Sequence, residues 1–257
     1  MLKGKTMNDF TTSEVSVRSG DESSSQDRQS NPLHLILGGG VGGILGLVAH
    51  RLIYPLFEIP DEIRNLPDPP PLKLIERLEA YQLWVDCLNY PIIFGITGLS
   101  VGLLATAMIA RGRPLPLVLS GALGAVGGAL GAILCSMMSY RTRVNSGSDM
   151  NVLGIPFDAM MQGILGQIFI WGLMGLGVGA GVGVSLSKRN SVLQTMFAGL
   201  AGGSVGALLF VFGTAILAPT SSTNHVVPRA MLEQVCQTLL PVLGMVGAIG
   251  LVQGKRK

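Results

Sequence analysis

The chain has 257 residues, of which 36 are glycine and 13% are charged, with a net charge of +3 and a mean hydropathy of +0.52. So apolar a composition excludes an ordinary water-soluble domain, and so small and scattered a positive charge excludes a nucleic-acid surface. Glycine stands at about twice its usual ~7% share, yet it lies among Leu, Val, Ile and Ala in runs of bilayer length, where a helix must satisfy the backbone.

Residues 1–31 are polar, carry mixed charges and contain Ser23-Ser24-Ser25, so they read as a disordered tail. They lack the short apolar core and small-residue cleavage site of a signal peptide, so the first span is expected to remain as an anchor. That span covers about 33–57. A linker with Pro67, Pro69, Pro70 and Pro71 follows. Over 72–88, Leu74, Leu78, Tyr81, Val85 and Leu88 recur at helical spacing opposite Lys73, Glu76, Arg77 and Glu79. This predicts an amphipathic helix, lying on the membrane surface or packed on the outer ends of the bundle. Further spans are expected at about 91–110, 115–138, 160–186, 192–218 and 233–252, making a six-helix transmembrane domain over 32–257.

The connections alternate between tiny and long. Arg111-Gly112-Arg113-Pro114 and Ser187-Lys188-Arg189-Asn190 are tiny, whereas 139–159 and 219–232 are long. With six spans, the tail, both tiny loops and the basic end Lys255-Arg256-Lys257 share one side, which holds 11 of the 18 basic residues. The bias of short loops toward Lys and Arg then predicts a multi-pass protein of the plasma membrane, a bacterial inner membrane, with both termini cytoplasmic. Tyr54, Trp84, Tyr90 and Tyr140 would fall at the outer boundary as an aromatic belt.

Glycine recurs in a fixed phrase. Gly95, Gly98 and Gly102 reappear 77 residues later as Gly172, Gly175 and Gly179; Gly121, Gly124 and Gly128 reappear 78 residues later as Gly199, Gly202 and Gly206. Spacings of three, four and seven put each set on one helix face, where small residues let backbones approach in lipid. Gly39, Gly42 and Gly46 repeat the closing phrase, and Gly244 and Gly247 repeat the opening one. The expected fold is therefore all-α: three glycine-zipper hairpins about a pseudo-threefold axis, the third made from spans six and one. In that third hairpin Gly39, Gly42 and Gly46 would face Gly244 and Gly247. These phrases resemble those of glycine-zipper membrane proteins in general.

Catalytic strings fare poorly. Gly38-x-Gly40-x-x-Gly43 fits a dinucleotide fingerprint, but no strand precedes it and it lies within a span. Gly98-Leu99-Ser100-Val101-Gly102 and Gly202-Gly203-Ser204-Val205-Gly206 match G-x-S-x-G. Six spans with an intramembrane serine resemble rhomboid-type proteases, which draw their base from a histidine on a later span. Here His34, His50 and His225 sit near span ends or in a loop, so neither serine has a base in reach. No ionisable side chain lies near the middle of a span, as a proton or ion path would require. Gln167 is the deepest amide, placed to line a pore or bridge helices. Cys87, Cys135 and Cys236 form no metal-ligand or disulfide framework. All three fall near the outer face, where an oxidising compartment would allow one bridge.

The function expected is a non-enzymatic structural or accessory component of a membrane assembly, with the lipid bilayer, a second copy or a larger membrane complex as partners and no cofactor, metal or nucleic acid. The alternative is a channel or permease for a small neutral or weakly polar solute. A wet axis would favour transport and a dry one the structural role.

Overall fold

The computed structural model describes residues 32–60, 72–110, 113–145, 151–152, 155–186, 189–217, 228 and 230–254. The tail at 1–31, the proline linker, His225 and the C-terminal basic residues lie outside them. Six helices dominate: α1 (Pro32–Ile53), α2 (Leu72–Ala107), α3 (Pro114–Asn145), α4 (Phe157–Ser185), α5 (Arg189–Leu217) and α6 (Met231–Gly254). All six are long and apolar enough to cross a membrane, so the chain is a multi-pass membrane protein. A two-stranded antiparallel ribbon, β1 (Asn151–Val152) and β2 (Ile155–Pro156), lies between α3 and α4.

Each helix packs on its sequence neighbours, and α6 packs back on α1, so the helices close into a ring. Neighbours run antiparallel. Gly38 lies against Leu104 and Gly46 against Thr97, so the numbering falls along α2 as it rises along α1. The same holds between α6 and α1, where Gly39 meets Val246 and Gly43 meets Val242. Gly250 touches Pro32, which places the last turn of α6 beside the first turn of α1. The ring is not hollow, because α4 also touches α2 and α6.

Two expectations about helix boundaries change. Residues 72–88 are not a separate surface helix; they form the N-terminal half of α2, which runs unbroken through Pro91 for 36 residues. At 1.5 Å per residue that is about 54 Å, well beyond a ~30 Å hydrocarbon core. Pro91 removes one backbone bond, but the helix continues through it, and Tyr90, Ile93 and Phe94 around it are buried. In the other direction, the first span is shorter than 33–57. Helix α1 stops at Ile53, and Leu56 and Phe57 leave it to bond Asn89.

Candidate functional site: the filled axis and the glycine faces

The centre of the ring is packed with apolar side chains. Trp171, Met174, Val178 and Val182 follow one another down α4 and are at most 1% exposed. Val101 of α2, Leu35 of α1, and Met245 and Ile249 of α6 join the same cluster. The Trp171 ring stands edge-on to Phe94 with centroids 5.7 Å apart. Its indole N–H donates to Gln167 Oε1 one turn away at 3.0 Å. Gln167 is thus a partner for the indole within its own helix, which is what a buried Trp N–H requires in an apolar core.

Helices close on one another through glycine. Gly98 and Gly124 face each other, and a Cβ on either would strike the other's carbonyl. Gly102 lies on the Ser120 carbonyl and Gly128 on that of Phe94; Gly95 is looser, near Ala125 and Ala129. Gly121 is covered by the side chains of Leu99 and Leu103 instead of backbone. Between α4 and α5, Gly175 faces Gly199, Gly179 meets Thr195, and Gly172 meets the Ser204 hydroxyl. Gly202 and Gly206 turn away from α4 and meet Gly244 and the Leu240–Pro241 backbone of α6.

The α6–α1 pairing differs from the one expected. Gly39 packs on the Val246 side chain, but Gly42 and Gly46 face α2, against Ser100, Val101 and Thr97. Gly247 has no neighbour within 4 Å of where its Cβ would stand. The reason is rotational. Residues 39 and 43 share one face of α1, whereas 38, 42 and 46 share another, so a glycine-rich helix fits two partners at once.

Sequence reading missed a second glycine set. Gly127 and Gly131 of α3 lie on Leu173 and Ile170 of α4, while Gly177 and Gly181 of α4 lie on Leu123 and Ser120 of α3. Both are small-xxx-small pairs that were legible in the sequence once the recurring phrase was set aside. They make the α3–α4 contact as close as the α2–α3 and α4–α5 contacts.

At the other end, Asn89 (2% exposed) accepts from the N–H groups of Leu56 and Phe57 at 3.2 and 3.0 Å. Its amide donates back to Phe57 O at 2.9 Å. Tyr54 stacks on Tyr90 at 6.4 Å and receives the edge of His50 at 5.1 Å. Tyr90 is therefore an interior residue and not part of an outward belt, whereas Trp84 is 67% exposed; the Tyr140 side chain lies outside the described set. Ser100 Oγ is 2.9 Å from the carbonyls of Gly42 and Thr97, so it ties α2 to α1. Among the described residues no group of His, Cys, Asp and Glu is arranged to hold a metal ion. Cys87, Cys135 and Cys236 are not joined in disulfides.

No family model matches this chain, and no curated protein or solved structure matches it either.

Proposed function

We propose that this chain is a non-catalytic, multi-pass membrane protein acting as a compact structural or accessory component of a membrane assembly. The observation that carries this reading is the apolar filling of the ring: Trp171, Met174, Val178 and Val182 occupy the line a solute would take. A permease needs a continuous polar path or a gap that one rearrangement opens. Ser100, Ser136, Thr97 and Thr195 within the spans instead turn to their own or neighbouring backbone.

The pseudo-threefold arrangement of glycine-zipper hairpins belongs to the same proposal. Its support is an alternation in burial: about 33% of the apolar window is buried in each of α1, α3 and α5, against 50%, 67% and 44% in α2, α4 and α6. Residues equivalent in the glycine phrases also meet, since Phe94 and Trp171 lie 77 positions apart and touch. The charge bias supports a plasma-membrane location with both termini cytoplasmic.

The test is flux. Purified protein in liposomes is assayed for uptake of a panel of small neutral and weakly polar solutes against protein-free vesicles. Rates equal to the blank are expected. Saturable flux of any one solute, abolished by a bulky substitution on the ring axis, would replace this reading with the transport one.

A further inference from the structure

We propose that Cys87 and Cys135 are a disulfide-forming pair that joins α2 to α3 at the outer end of the bundle. The argument begins at the mutual contact of Gly98 with Gly124, which fixes the register of two antiparallel helices. Gly128 lies on Phe94, so four residues along one helix match four along the other. Cys87 precedes Gly98 by eleven residues and Cys135 follows Gly124 by eleven. Eleven residues are about three turns at 3.6 per turn, leaving each side chain about 20° from the face that its glycine presents. Both cysteines therefore return to the α2–α3 seam at the same level.

An independent contact agrees. The Cys87 side chain is hydrogen-bonded to Ser136, the residue next to Cys135, so the two helices are still within side-chain reach there. The Cys135 sulfur projects toward Gly166 of α4, into the space a Cβ would fill. Turning that sulfur from α4 toward α2 is a change between staggered side-chain positions. Cys236 stands on α6, which packs on α5 and α1, and so serves as the unpaired reference thiol.

The chemistry is thiol–disulfide exchange with an external disulfide donor. Cys87, the more accessible of the two, attacks one donor sulfur as the thiolate and releases a donor thiol. The Cys135 thiolate then attacks the Cys87 sulfur of the mixed disulfide and releases the second donor thiol. Two protein thiols and one donor disulfide become one protein disulfide and two donor thiols. Formation in the cell rests on the orientation proposed above, which puts this end in the oxidising compartment.

The full chain, purified in detergent, is incubated with glutathione disulfide, and free thiols are counted by maleimide mass-tagging before and after reduction. The expected result is loss of two of the three thiols, with a Cys87–Cys135 crosslinked peptide on mapping. Cys236→Ser should leave the bridge intact, and Cys135→Ser should trap a stable glutathione adduct on Cys87. Three reactive thiols, an adduct persisting on Cys87 in the unmutated chain, or a bridge that uses Cys236 would each overturn the pairing. The same count on protein acid-quenched and alkylated in intact cells separates the two premises. A bridge that forms in detergent, with both thiols reduced in cells, leaves the pair standing and overturns the orientation.

Discussion

Leucine at position 124 should separate three helices at once. Gly124 faces the Gly98 carbonyl on α2 and the Val178 side chain on α4, so no rotamer points a new side chain into open space. Forcing atoms into such a seam costs about 1–3 kcal/mol even where neighbours are flexible side chains. Here the obstacle is backbone, which moves only if α2 and α3 part. Parting them forfeits Cα–H···O contacts of about 0.5–1 kcal/mol each. Gly124→Leu is therefore expected to destabilise by about 3 kcal/mol, roughly a hundredfold in the folded-to-unfolded ratio. The control lies on the same helix: Ala122 is exposed, so Ala122→Leu places the same final side chain toward lipid. Titration with a denaturing detergent, followed by tryptophan fluorescence, measures both. If Gly124→Leu unfolds at the midpoint of Ala122→Leu, the α2–α3 seam does not hold the bundle.

Gly247→Leu and Gly213→Leu should be close to neutral in the same titration, because nothing stands within 4 Å of either missing Cβ. Trp171→Ala should cost about 3–5 kcal/mol, since the indole is 1% exposed and its removal leaves a cavity on the axis; a loss below about 1 kcal/mol would mean the axis is loosely filled. Asn89→Leu should release residues 54–57 by removing three hydrogen bonds, seen as faster amide exchange at Leu56 and Phe57 with the rest unchanged. In a cysteine-free background, new cysteines at Ser187 or Lys255 should react with an impermeant reagent only from the cytoplasmic side and at Ser146 only from outside. Labelling of positions 146 and 255 from one side would contradict the six-span count.

Helix number was legible because a bilayer fixes the length of an apolar run, and each run here is separated by charge or proline. What escaped was anything decided between helices. Pro91 looked like a boundary because proline disfavours a helix interior locally. Burial of Tyr90 and Phe94 against neighbouring helices overrode that preference, which a single-segment reading does not contain. The latch from Asn89 to Phe57 spans 32 residues and left no local mark. Glycine faces were visible as faces, but their partners were not. A face at 42 and 46 fits α2 as well as α6, and only the rotation of α1 in the closed ring decides between them.

The register of the two complete hairpins shows how a small local difference is amplified. The recurring phrase would place Gly175 against Gly202, as Gly98 sits against Gly124. Instead Gly175 meets Gly199, one turn away. The chain reversals account for the slip. In the first hairpin α2 ends at Ala107 and α3 begins at Pro114, a residue suited to the first helical position because its missing N–H would have no partner there. In the second, no proline interrupts, and α5 begins at Arg189, four positions after α4 ends at Ser185, where α3 begins seven positions after α2 ends. The second reversal therefore comes earlier relative to its glycines, and α5 slides about one turn along α4. Gly202 and Gly206, released from α4, are left to receive α6 through Gly244 and Pro241. Meanwhile α4 carries Gly175 and Gly179 on one face and Gly177 and Gly181 on the opposite one, so it is gripped from both sides and becomes the most buried of the six spans. Pro114 opens α3 and no proline opens α5, and with that difference in the sequence goes a difference in which glycines close an antiparallel helix pair and which join it to its neighbour.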